Sequence, residues 1–116
     1  MKIGIVGSRS FDDYNYLEEK ILNDFEIGNI NLIISGGAGG ADTLGIEFAE
    51  KHCIKTKIFK PDWKRYGEAA GPIRNEQIVE EADVIIAFWD GESKGTKDTI
   101  DKAVKNSKNA IVHKYR

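Results

Sequence analysis

Five short apolar runs, each of strand length, alternate with polar segments whose apolar residues recur at helical spacing. That alternation confines the chain to the α/β class. The runs are Lys2 to Val6, Asn31 to Ser35, Lys57 to Lys60, Asp83 to Trp89 and Asn109 to His113. Between them, Leu17, Ile21 and Phe25 share one helical face, Leu44, Phe48 and Ala49 a second, and Ile100, Ala103 and Val104 a fourth. The third helix is expected over Pro72 to Ala82, with Arg74, Ile78 and Ala82 as its stripe and Pro72 in the first turn. Ile85, Ile86, Ala87 and Phe88 form a nearly continuous run, as a central strand covered on both faces requires. Right-handed crossovers leave few arrangements for such a chain, and the expectation is a doubly wound, three-layer α/β/α domain whose five parallel strands lie in the order 3-2-1-4-5. In such a sheet, ligands bind beyond the carboxyl ends of the strands, where strands one and four part company.

At 116 residues the chain makes one domain, spanning 1–116, and a domain of this size hides roughly two-thirds of the surface its unfolded chain exposes. Seventeen Lys and Arg against nineteen Asp and Glu leave a net charge of −2 with no basic cluster, so nucleic acid is not the expected partner. One cysteine excludes a disulfide framework. Cys53 itself, after His52 at the end of the second helix, reads as an ordinary buried or half-buried thiol. No apolar run approaches the ~20 residues of a membrane span. Met1 leads straight into the first strand rather than a signal segment, and the expected setting is the cytoplasm.

The loops that follow the strands carry the chemistry. After strand one, Gly7-Ser8-Arg9-Ser10 supplies a turn, two hydroxyls and a guanidinium suited to phosphate or carboxylate, and Asp12 or Asp13 is placed to cap the next helix. After strand two comes Ser35-Gly36-Gly37-Ala38-Gly39-Gly40-Ala41-Asp42-Thr43. Glycine lets backbone N–H groups approach an anion, and the following helix N-terminus favours one, so the loop is a candidate phosphate cradle. It matches neither the dinucleotide fingerprint nor a Walker loop. After strand three lies a long connection through Trp63 and Tyr66, which either stack on a base or plug a hydrophobic gap, and then Arg74-Asn75 on the helix. Arg74, one turn before Ile78, is expected to face the sheet's upper edge and touch ligand. After strand four, Trp89-Asp90-Gly91-Glu92-Ser93-Lys94-Gly95-Thr96 makes another glycine turn into a helix. No Ser-His-Asp set and no zinc-ligand spacing is present. The acid-base candidates are therefore Asp42, Asp62, Glu68, Asp90 and Asp98.

Taken together, Gly7-Ser8-Arg9 with Phe11, Ser35-Gly36-Gly37-Ala38 with Gly40-Ala41-Asp42, Pro61-Asp62-Trp63, Ala70-Gly71-Pro72 with Arg74-Asn75, and Ala87-Phe88-Trp89-Asp90-Gly91 with Ser93, Gly95 and Thr96 resemble the YspA-type, cpYpsA-related branch of the SLOG superfamily. The resemblance covers nearly the whole chain. It implies a Rossmann-like fold and a nucleotide or nucleotide-derived ligand, with a distant relationship to LOG phosphoribohydrolases and DprA. LOG enzymes cleave nucleoside monophosphates at the N-glycosidic bond. Their signature is matched here by Arg74, by Ala82-Asp83 and by Gly95-Thr96, but Trp89-Asp90-Gly91 replaces their Pro-Gly-Gly and Thr99 stands where their catalytic glutamate would be. A carboxylate near the anomeric carbon is a large part of that chemistry, and Thr99 does not supply one.

The leading expectation is thus a binding or sensing domain for a phosphorylated nucleotide. Its candidate ligand contacts are Gly7, Ser8, Arg9, Gly36, Gly37, Ala38, Gly39, Gly40, Asp42, Thr43, Trp63, Arg74, Asn75, Trp89, Asp90, Gly91, Ser93, Gly95 and Thr96. The alternative is an N-glycosidase or deoxyribosyltransferase-like enzyme in which Arg74, Asp90 and Asp98 are the catalytic candidates. No cofactor or metal is expected beyond the nucleotide itself, and the resemblance makes a homodimer the macromolecular partner to expect.

Overall fold

In the computed structural model, which describes residues 1–115, the elements run β1 (Lys2–Gly7), α1 (Tyr14–Asp24), β2 (Leu32–Ser35), α2 (Ala41–Lys51), β3 (Lys55–Ile58), α3 (Trp63–Tyr66), α4 (Ala70–Glu81), β4 (Val84–Trp89), α5 (Lys94–Lys105) and β5 (Asn109–Lys114). Single 3₁₀ turns occupy Ile27–Asn29 and Gly67–Ala69. The sheet is parallel throughout, in the expected order β3-β2-β1-β4-β5. Strand β1 therefore lies between β2 and β4, and the direction of winding reverses across the β1–β4 seam, where Gly7 pairs with Phe88.

Alternation along β1, β2 and β4 builds two cores. Ile3, Ile5, Ile33, Val84, Ile86 and Phe88 face α1 and α2, meeting Leu17, Ile21, Phe48 and Ala49. Val6, Ile34, Ile85 and Ala87 face the other way, against Ile78, Val79, Ala82 and Ala103 of α4, the turn that follows it, and α5. Each fully buried aliphatic or phenyl side chain contributes roughly 1.5–3 kcal/mol. A helix on either face explains why β4 carries an unbroken apolar run.

Four departures from the sequence reading have physical causes. Strand β3 sits two residues earlier than the run Lys57 to Lys60 suggested, because it is an edge strand with all four residues exposed and has no burial pattern to read. The long connection after it is partly folded, as α3 and a 3₁₀ turn, and α4 begins at Ala70 so that Pro72 still falls in its first turn. Val104 is 67% exposed; the buried face of α5 is Thr96, Thr99 and Ala103 instead. Cys53 is exposed rather than buried, because it occupies the left-handed position (φ 55°) just past the end of α2 and its side chain turns outward there. Asp13, as expected, caps α1, accepting from the Tyr16 amide.

Candidate functional site

At the carboxyl edge of the sheet, the loops after β1, β2, β3 and β4 enclose a cleft of two adjoining chambers, about 470 and 780 Å³ in volume. Arg9, Ala38, Arg74, Asn75 and Gly95 line both. The first chamber is hydroxyl-rich, with Ser8, Ser10, Ser93, Thr96 and Thr99 on its walls. The second is bounded by Gly36, Gly37, Lys60, Trp63, Lys94 and Asp98.

Ser8 ties the loops together. Its carbonyl accepts from the amides of Phe11 (3.2 Å) and Ala41 (3.3 Å), and its hydroxyl accepts from the Asp90 amide (3.1 Å). This close meeting of loops one and two explains Gly40: with φ at +71°, its α-carbon faces the Ser8 carbonyl and the Arg9 backbone, where a Cβ would lie 2.6 Å from Arg9 Cα. Gly40→Ala is expected to cost roughly 2–4 kcal/mol of stability from left-handed strain and backbone collision together. Thermal unfolding of the variant measures it.

The glycine loop already holds an anion. The Ala38 amide donates to Asp42 Oδ2 at 3.2 Å, and the Gly36 amide also supports this carboxylate. The Gly37 amide donates to Ser35 Oγ (3.2 Å), and Thr43 Oγ1 donates to the Ala38 carbonyl (2.8 Å). Asp42 is buried, and burial raises its pKa to about 6 against the opposing pull of those amides, Arg74 and Arg9. The Asp42 carboxylate thus sits in the amide nest that the sequence offers to a phosphate.

Arg74 stands on the wall between the chambers. Its Nη1 donates to the Gly36 carbonyl and its Nε to Asn75 Oδ1, both at 2.9 Å. A side chain at position 36 would collide with this guanidinium, so the approach depends on glycine there. Burial lowers the Arg74 pKa, and nearby Asp42 offsets part of the fall. Asn75 is held in turn: its Nδ2 donates to Asp98 Oδ2 (3.0 Å), and Lys102 grips both oxygens of Asp98 at 2.7 and 2.8 Å. A carboxylate accepts only, so Asp98 fixes the Asn75 amide with its oxygen toward Arg74. The series Lys102–Asp98–Asn75–Arg74 locks the plane of the guanidinium across two helices.

The remaining sequence candidates divide. Gly7, Asp90 and Ser93 line the first chamber. Asp90 Oδ1 accepts from the amides of Glu92 and Ser93, both at 2.8 Å, and shapes the turn before α5. Ser93 caps α5, accepting from the Thr96 amide. Thr99 lies in the wall of the first chamber and donates to the Gly95 carbonyl at 3.2 Å. Asp98 opens on the second chamber, on the other side of Asn75. Gly39, Gly40, Thr43, Trp89 and Gly91 line neither chamber, and the Trp89 indole N–H is committed to the Ser93 carbonyl (3.0 Å). Trp63 is 57% exposed and plugs no gap; its ring stands beside the second chamber. Lys60 and Lys94 line that chamber without having been singled out in the sequence. The available signal was their position, one just past the end of β3 and one opening α5, both at the ligand edge of the sheet. Among the described residues, no group of three or more His, Cys, Asp or Glu is placed to hold a metal ion, and no helix is long and apolar enough to cross a membrane.

The fold and the ordered loops define a member of a known class. The sequence profile of the YspA, cpYpsA-related SLOG family matches residues 1–66, and the chain belongs to that family. It is 30% identical over 111 residues to the Gene 61 protein of Mycobacterium phage D29, covering 90% of this chain and 89% of the phage protein. Its fold is similar to that of DNA processing protein A (DprA) from Streptococcus pneumoniae, with a TM-score of 0.77 at 20% identity over 96% of this chain. The match spans only 49% of the DprA chain, so this protein corresponds to about half of it. A second solved structure, TM1055, matches with a TM-score of 0.62 at 20% identity, over 95% of this chain and 72% of its own.

Proposed function

We propose that the chain binds a phosphorylated nucleotide or nucleotide derivative in this cleft and senses or presents it without cleaving the N-glycosidic bond. The observation that carries the reading is Arg74: a half-buried guanidinium, locked in plane by Gly36 and Asn75, at the junction of two open chambers. A planar donor held this way suits bidentate recognition of a phosphoryl oxygen pair. The hydroxyl oxygens of Thr96 and Thr99, whose protons go to Ser93 and Gly95, can accept from ribose hydroxyls, and the exposed indole of Trp63 offers a stacking face for a base. Membership of the SLOG family supports the ligand class, and the setting we infer is the cytoplasm.

Hydrolysis is disfavoured by the same geometry. Where the LOG-type signature resembled by this chain has its glutamate, Thr99 stands, with its hydroxyl donating to the Gly95 carbonyl. Asp98 is bound by Lys102 and Asn75, and Asp90 Oδ1 is bound by two amides. Thermal unfolding against AMP, GMP, CMP, NAD and ADP-ribose, with the same mixtures assayed for free base, tests the proposal. A ligand at a hundred times its Kd adds about 2.7 kcal/mol, which raises the midpoint of a domain this size by several degrees. The expected result is a shift without base release. Base release abolished by Asp98→Asn or Asp90→Asn would make the protein an N-glycosidase instead.

A further inference from the structure

We infer that the second chamber is a diphosphate subsite and that Lys60 and Lys94 select nucleotides bearing a diphosphate over monophosphates. The inference rests on the nucleotide reading above and specifies its ligand.

Charge is divided unequally between the chambers. In the first, Arg9 and Arg74 face the carboxylates of Asp42 and Asp90. In the second, Arg9, Lys60, Arg74 and Lys94 face one carboxylate, Asp98, which Lys102 already pairs at 2.7 Å. Among the described residues, Arg9, Lys60 and Lys94 make no ion pair, whereas Lys57 of β3 and Lys97 and Lys102 of α5 do. Asp42 is near enough to act on Arg9 and Arg74, but Lys60 and Lys94 share a chamber whose one carboxylate is already paired with Lys102, and an anion of more than one charge relieves the repulsion among these cations.

The backbone agrees. In the glycine loop the amides of Gly37 and Ala38 are taken by Ser35 and Asp42. At the start of α5, Ser93 takes the Thr96 and Lys97 amides. The amides of Lys94 and Gly95, at the mouth of the second chamber, have no partner among the described residues, and a Cβ at Gly95 would meet nothing within 4 Å. Donors and cations together are therefore concentrated in the second chamber, while the hydroxyl-rich first chamber suits an uncharged sugar. A monophosphate reaching Arg74 satisfies one end of this arrangement. A second phosphoryl group reaches the lysines.

Calorimetric titration of the full chain, without divalent cations, with AMP and ADP and with the guanosine, cytidine and uridine pairs tests this. For the base that binds, the diphosphate is expected to bind about tenfold tighter or more, the effect of one or two added charge-assisted hydrogen bonds. The exposed double variant Lys60→Ala/Lys94→Ala should lose that preference and keep its monophosphate affinity, and Lys60→Arg/Lys94→Arg should retain both. Equal binding of mono- and diphosphate by the parent, or an equal loss of both in the alanine variant, overturns the subsite and leaves nucleotide binding standing. Failure of every mono- and diphosphate to bind overturns the nucleotide reading itself, and the subsite with it.

Discussion

Arg74→Ala is expected to weaken nucleotide binding by roughly 3 kcal/mol, about a hundredfold. The side chain lines both chambers, so no ligand that spans them avoids it. Two of its N–H groups are committed to the Gly36 carbonyl and Asn75, which fixes where the others point before any ligand arrives. The entropy of ordering a long side chain is thereby spent in folding rather than in binding. Arg74→Lys is expected to recover little, because an ammonium group reproduces neither the fork nor its two anchoring bonds. Calorimetric titration measures the loss, and thermal unfolding of the same variants shows whether the fold has survived. Affinity within twofold of the parent, in a folded Arg74→Ala protein, would remove Arg74 from the site.

The second large effect concerns Asp42 and pH. Burial lifts its folded pKa to about 6, well above the ordinary aspartate value of about 3.9. A carboxyl whose pKa rises on folding binds its proton more tightly in the native state, so it adds stability that is fully present below pH 4 and is lost as pH rises through 6. The change amounts to roughly 3 kcal/mol. Stability is therefore expected to increase as pH falls from 7 toward 5, and Asp42→Asn should flatten that slope. Below about 4.5 an opposite contribution takes over. Hydrogen bonds from Lys51, His52 and Tyr14 lower the Glu18 pKa to about 2, so its stabilising effect is present above the ordinary glutamate pKa and fades as pH falls toward 2. Solvent access to that cluster limits it to about 1 kcal/mol or less. Denaturant unfolding of the parent and Asp42→Asn at closely spaced pH values checks both signs. An unchanged slope between pH 7 and 5 in the variant would place the proton on another group.

The α/β order was readable because it depends on local pattern. Strands with apolar residues on both faces and helices with one stripe leave few alternatives, and β1, β2, β4 and β5 fall where their runs predict. Strand β3 was displaced because an edge strand with four exposed residues leaves no alternation to follow. Cys53 was misjudged for a related reason: the left-handed residue that ends α2 is specified by backbone geometry, and a cysteine is an unusual occupant. At the cleft, the loops themselves were evident from their glycines and from their place after strands. What they do with their hydrogen bonds was not. The pairing of Asn75 with Asp98 joins residues 23 positions apart on two helices, and its existence depends on how α4 and α5 cross. Ser8 looked like a ligand group and also proves to be the knot of three loops. Lys60 and Lys94 carried no local mark, since lone lysines are common on any surface; only the folded edge brings them to one chamber.

The carboxylate cradled by the glycine loop changes what it means for this cleft to receive a ligand. The protein carries its own counter-ion, Asp42, close enough to Arg74 and Arg9 to influence the titration of the groups around it. Under the proposed function, arrival of a phosphorylated molecule is then an exchange of partners rather than the filling of a vacant positive hole. On the proposed reading, the cleft favours a ligand whose charge, and number of acceptor oxygens, exceed those of a single aspartate.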